Sequence, residues 1–166
     1  RIRGIPFALG GGLAQGVYTG RLRSSKDLDV YVTPARREAM METVHDCGLT
    51  DYFEVKEYVG DWIYRAHQDD VIVDIIWSMA NRRADVDEHW VSTGPTIELL
   101  GEHVRVIPVE ELIWSKLYIM QRDRCDWPDI LNVIYSSAST LNWQHLLNRV
   151  AEDRPLVKGL LSIFSW

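Results

Sequence analysis

Two aspartates one residue apart, Asp27 and Asp29, open the apolar run DLDVYV. Aspartate is depleted in strands, so a pair at the head of one needs a reason. Strand alternation turns both carboxylates, with Tyr31, to one face, the two acids about 7 Å apart, and sends Leu28, Val30 and Val32 to the other. Oxygen donors so placed suit a hard divalent cation, Mg²⁺ or Mn²⁺. The plainer alternative has Asp27 capping the turn and Asp29 bonding surface backbone. A third acid, Asp74, sits in the centre of VIVDIIW, where an ionised carboxylate is costly unless it is paired or metal-bound. Three aspartates on two adjacent strands can hold two such ions, one activating an attacking oxygen and the other neutralising a leaving group. Asp69 and Asp70, just upstream, read as turn residues. The triple glycine Gly10–Gly12 precedes a short helix, so its backbone N–H groups could point at a phosphate. A flexible turn explains three glycines equally well.

The elements that must position these groups follow from apolar period and turn chemistry. PFAL reads as a short strand ending at Gly10, LAQGVYTG as a short helix and DLDVYV as a strand. Pro34 opens the helix ARREAMMETVHDCG, which Gly48 stops. YFEVKEYV, DWIYRAH and VIVDIIWSM read as three strands separated by GD and QDD turns. The polar segment 80–95 has no clear pattern, and IELLGEHVRVI reads as a hairpin. After Pro108 the pattern becomes helical: PVEELIWSKLYIMQR, DWPDILNVIY, NWQHLLNRVAE and PLVKGLLSIF. The expected fold is α+β (mixed α/β): a small mixed β-sheet palm flanked by helices over residues 1–107, then a C-terminal helical bundle over 108–166.

Composition bounds what such a domain can do. The chain has 166 residues, 46% hydrophobic and 25% charged, an ordinary globular balance. Net charge is −6, yet residues 1–37 hold seven basic residues against two acids while the remainder is strongly acidic. That disfavours tight, sequence-independent nucleic-acid binding and leaves a local basic patch able to meet a phosphate. Cys47 and Cys125 lie far apart without a CxxC or a histidine cluster, which argues against zinc and fits a reducing cytoplasm. No apolar run reaches the length of a membrane helix, so a cytoplasmic protein with no membrane partner is expected. Trp62, Trp77 and Trp114 lie in apolar periodic runs and read as core, and the five histidines as structural or solvated.

A glycine pair on a short helix, then D-x-D on a strand with fourteen residues between Gly12 and Asp27, then a later lone aspartate resembles the nucleotidyltransferase superfamily of polymerase β. Within it, FALGGGLA…GRLRSSKDLDVYV resembles the small bacterial nucleotidyltransferases that include abortive-infection toxins. The resemblance implies that Gly11 and Gly12 cradle a triphosphate. Asp27, Asp29 and Asp74 would bind metal and carry catalysis. Ser24 or Ser25, Arg23 and Lys116 would contact phosphates. Lys116 has Leu112, Ile113, Ile119 and Met120 as helical neighbours, so its stem either snorkels along the core or aims the ammonium inward. RDRCDWPDILNVI resembles the family's R-x-D-x-x-D segment, with Cys125 where that family has lysine. Asp126 and Asp129 fit an N-cap and a capping-box position equally well.

The expected activity is Mg²⁺-dependent (or Mn²⁺-dependent) transfer of NMP from an NTP to an acceptor hydroxyl or phosphate with release of pyrophosphate. The acceptor stays open between tRNA, protein and small molecule, and a cognate antitoxin or partner protein fits the toxin resemblance. Related antibiotic-modifying enzymes often follow Gly-Gly with Trp, where this chain has Leu13, which disfavours a drug acceptor. The contrasting class is a catalytically inactive nucleotidyltransferase-fold binding module. Against it stands the cost of keeping an uncompensated Asp74 in so apolar a strand.

Overall fold

The computed structural model describes residues 4–22 and 24–165. Arg23, one of the expected phosphate contacts, lies outside the described residues. The chain divides into two units, Arg1–Ala14 with Arg23–Pro108, and Gln15–Leu22 with Val109–Trp166. The division runs through the first helix.

In the first unit, strands β1 (Ala8–Leu9), β2 (Asp27–Tyr31), β3 (Thr50–Asp51), β4 (Ile63–Gln68) and β5 (Val71–Ile76) form one mixed sheet in the order β1-β2-β5-β4-β3. The central pair β2–β5 is parallel and the other pairings are antiparallel. Helix α1 (Gly11–Thr19) follows β1, and α2 (Arg37–Asp46), entered through a 3₁₀ turn at Pro34–Arg36, connects β2 to β3. A parallel pair needs such a crossover, and α2 supplies it. One face of the sheet is core: Val30, Val32, Tyr64, Ala66, Ile75 and Trp77 cluster with Met40 and Val44 of α2. Period 2 then turns Asp27, Asp29, Arg65 and Asp74 to the opposite face. Helix α3 (Glu88–Ser92), begun by the Asp87 carboxylate accepting from His89 N–H, brings Trp90 to stack on Tyr31 at 5.4 Å. Strands β6 (Thr96–Leu99) and β7 (Glu102–Arg105) make the expected hairpin around Leu100 and Gly101, both at positive φ.

The second unit is a helical bundle of α4 (Val109–Leu117), α5 (Trp127–Ser137), α6 (Trp143–Val150) and α7 (Arg154–Phe164), joined by the later turns of α1. Leu112, Ile113, Leu117, Ile130, Ile134, Leu146 and Leu160 are its largest fully buried apolar side chains. The chain is therefore an α+β protein, a mixed sheet with helices followed by a helical bundle. Among the described residues no helix is long and apolar enough to cross a membrane.

Two local expectations are corrected. YFEVKEYV is not a strand: β3 stops at Asp51, whose carboxylate accepts from Phe53 N–H (2.8 Å) and Tyr58 hydroxyl (3.0 Å) and closes a 3₁₀ turn. The alternating apolar side chains have no second surface to bury against, and Phe53, Val55 and Val59 are exposed. The helix read in PVEELIWSKLYIMQR ends at Leu117, and the following residues fold back so that Met120 bridges Cys125. Trp77 and Trp114 are buried as expected, joined by Trp90, while Trp62 is half-buried.

Candidate active site

The parallel register of β2 and β5 sets Asp29 directly beside Asp74, with Asp27 beside Ile72. Neighbouring strands lie about 4.8 Å apart, so the three carboxylates share one face within a few ångströms of a common centre. Exposure grades across them: the Asp74 side chain is 4% exposed and that of Asp27 35%. Ser25 donates its hydroxyl to Asp27 Oδ1 at 3.1 Å, orienting that carboxylate. Ser24, expected as the alternative phosphate contact, is exposed.

The glycine turn and the aspartate pair belong to one construction. Gly10 N–H donates to the Asp29 carbonyl at 2.9 Å, continuing the β1–β2 ladder. Gly11 has φ +52, a region that L side chains rarely occupy, and a Cβ built on it would overlap Asp29 Oδ2. Glycine is thus required there twice, for backbone conformation and for the approach of the carboxylate. A Cβ on Gly12 would stand 3.2 Å from Ser25 Oγ, so the serine also leans on the turn. The first N–H groups of α1 have no intrahelical acceptor, and no acidic residue occupies its first turn.

The sequence reading missed Arg65. The antiparallel register of β4 and β5 sets it opposite Asp74, and its guanidinium grips that carboxylate with both prongs, Nε to Oδ1 at 2.7 Å and NH2 to Oδ2 at 2.5 Å. The same NH2 lies 3.6 Å from Asp27 Oδ2. The hydrogen bond to Asp74 holds the Arg65 pKa above its ordinary value, against the opposing cost of burial. The expected argument against an inactive scaffold, that Asp74 would be uncompensated, is corrected: Arg65 compensates it. A signal did exist. The two-residue turn Asp69–Asp70, with Asp69 at φ +51, sets Gln68 opposite Val71, and three residues back on each strand Arg65 meets Asp74.

The donor set fits a hard divalent ion. It offers carboxylate oxygens only, on one face, two acids partly open to solvent, against a turn whose glycines leave room for the Asp29 carboxylate.

In the second unit, Lys116 is buried on α4 and its ammonium bonds Asp126 Oδ2 at 2.7 Å and Asp129 Oδ2 at 3.1 Å. Asp126 stands at the N-cap position of α5 but makes no capping bond; its carboxylate goes to Lys116 and Arg124 instead. The capping reading of Asp126 is therefore corrected, because a buried ammonium is a stronger partner than a backbone N–H that α5 can leave to solvent. Burial opposes ionisation of Asp126, yet the bonds from Arg124 and Lys116 outweigh it and hold its pKa below the usual carboxylate range. A second buried acid, Glu111, accepts from Arg149 at 2.9 Å and pairs with His145 at 2.8 Å. Tyr18 of α1 is pushed above its ordinary pKa first by burial and then by Glu110 and Glu111.

No family model and no curated protein sequence matches the chain. Solved structures do. The solution structure of the antibiotic-resistance factor ANT(2'')-Ia is 22% identical over 96% of this chain and 88% of its own, with a TM-score of 0.59. An antigenic nucleotidyltransferase-like protein from Paracoccidioides brasiliensis is 18% identical over 95% and 84%, with a TM-score of 0.53. The lincomycin-bound lincosamide antibiotic adenylyltransferase LnuA is 16% identical over 78% and 85%, with a TM-score of 0.52. The chain has the nucleotidyltransferase fold.

Proposed function

We propose that this protein is a divalent-metal-dependent nucleotidyltransferase, moving NMP from an NTP to an acceptor oxygen. The observation that carries the reading is the register that sets Asp29 beside Asp74 on the face of Asp27, with Gly11 moulded against Asp29. In the reaction the acceptor oxygen bonds to the α-phosphorus, the bond to the bridging oxygen breaks, and pyrophosphate leaves. Divalent ions, Mg²⁺ or Mn²⁺, supply Lewis-acid activation of the attacking oxygen and charge neutralisation on the leaving pyrophosphate.

Asp27 and Asp29 hold the ions, and Ser25 fixes Asp27 in its ligating orientation. The N–H groups at Gly11 and Gly12 bind the phosphates at the start of α1. Asp74 shares in ion binding and helps to accept the acceptor's proton. Lys116, whose ammonium is bonded to Asp126 and Asp129, is carried from the family resemblance alone as a phosphate contact. Arg23 and Ser24 are carried as further phosphate contacts. For the acceptor, the likeness to the lincosamide antibiotic adenylyltransferase LnuA supports a small-molecule hydroxyl. The resemblance to abortive-infection toxins keeps tRNA and protein in the assay, with a cognate antitoxin as the partner to look for and the cytoplasm as the compartment.

The test is transfer of α-labelled NTP to a panel of hydroxyl-bearing small molecules, bulk tRNA and cell protein, with Mg²⁺ or Mn²⁺. Label should appear in one class and vanish in the Asp27→Asn, Asp29→Asn double variant. Labelling that survives this double substitution overturns the ligand assignment.

One observation favours a second reading. Arg65 gives Asp74 a structural counter-ion, so the acid is also affordable in a binding module without catalysis. A melting temperature unmoved by Mg²⁺ with each NTP in turn would favour that scaffold.

A further inference from the structure

Arg65 NH2 stands 2.5 Å from Asp74 Oδ2 and 3.6 Å from Asp27 Oδ2. One nitrogen therefore bridges carboxylates from two strands, which is what a bound cation would do in the same place. A divalent ion shared by Asp27 and Asp74 needs oxygen contacts near 2.1 Å, and it would repel a guanidinium so close to both.

We propose that Arg65 is a built-in counter-cation of the carboxylate cluster, holding Asp74 in place when no metal is bound and yielding it when a divalent ion enters. This inference rests on the metal-binding reading above and adds to it a residue that sets metal affinity. Three features allow the exchange. The Arg65 side chain is 30% exposed, so the fork can move toward water without dragging the sheet. Its guanidinium carbon already lies 5.8 Å from the centre of the Tyr52 ring, an aromatic face beside it on release. Its backbone is held independently, Arg65 N–H donating to the Tyr58 hydroxyl at 3.1 Å, so the side chain moves alone. The linkage is reciprocal: whatever free energy the fork gives Asp74 is subtracted from metal binding.

The experiment measures Mn²⁺ affinity by the magnetic-resonance signal of the free ion, without nucleotide, for the wild type, Arg65→Gln, Arg65→Lys and the Asp27→Asn, Asp29→Asn double variant. Arg65→Gln should bind Mn²⁺ about tenfold more tightly, the equivalent of one charge-assisted hydrogen bond. Its melting temperature should start lower and rise further on adding Mn²⁺ than that of the wild type. Arg65→Lys, which keeps the charge but not the fork, should fall between the two, and it decides the matter if the glutamine variant does not fold. A merely structural arginine would lower stability without raising metal affinity. If both Arg65 variants that fold bind as the wild type does while the double aspartate variant loses the ion, the counter-cation role is overturned and the metal site stands. If none of the proteins binds Mn²⁺, the metal reading falls and this inference with it.

Discussion

Replacing Gly11 and Gly12 one at a time by alanine should separate two neighbouring glycines by sign. At Gly11 the backbone sits at φ +52, and a non-glycine residue in the left-handed region costs roughly 1–2 kcal/mol. The new Cβ would also land on Asp29 Oδ2 and drive that side chain off its rotamer, adding about 0.5–1.5 kcal/mol. Gly11→Ala should therefore lose about 2–3 kcal/mol. Gly12 has ordinary φ, and its Cβ would stand 3.2 Å from Ser25 Oγ, a hydroxyl on a short side chain that needs to yield only a few tenths of an ångström. It lies inside α1, where alanine is the better helix former by up to ~1 kcal/mol. Gly12→Ala should thus leave stability within about 0.5 kcal/mol of the wild type, on either side. Urea unfolding decides it: with a slope of about 1–3 kcal/mol/M, Gly11→Ala moves the midpoint by roughly 1 M or more and Gly12→Ala leaves it nearly in place. Equal losses in the two variants, or a Gly11→Ala loss below about 0.5 kcal/mol, would refute the argument that Asp29 and the glycine turn are fitted to one another.

Two further outcomes follow from buried charge. Lys116→Met strips Asp126 and Asp129 of a shared ammonium while leaving Arg124, so it should destabilise by about 3 kcal/mol in urea unfolding, and Asp126→Asn added to it should recover part of the loss. Tyr64 has its pKa pushed up to about 12 by burial first and then by Asp51 and Tyr58. Its neutral form is favoured in the folded state, so that contribution is complete below pH 10 and is lost as pH rises toward 12. Tyr64→Phe should flatten the alkaline fall of the melting temperature between those limits, and an unchanged slope would count against it.

Elements with a strong period were legible from the chain alone. DLDVYV alternates, and its alternation sends Val30 and Val32 into the core and both aspartates to the other face. The helices after Pro108 were legible because each carries an apolar stripe at helical spacing. YFEVKEYV carried the alternation of a strand and became a turn, because pattern reports which residues want burial and not whether a surface exists to bury them. Lys116 was legible as a lysine on an apolar face, but nothing local paired it with Asp126 and Asp129, which read as helix caps or as part of the family's R-x-D-x-x-D segment. A cap is a local reading, and the bond that displaced it spans ten residues and the turn beyond α4.

The amino-acid order by itself determined the periods, the turns and the residue types: glycine at the positive φ of position 11, acids on one side of β2, and an acid in the middle of β5. Only the tertiary structure decided that β5 lies parallel beside β2, which sets Asp74 level with Asp29, and that the ladder with β4 gives Asp74 an arginine. Local sequence sets which face a side chain takes. Which strand lies alongside, and in what register, is set by hydrogen bonds and burial between segments far apart in the chain, and the pairing of charges follows from that choice.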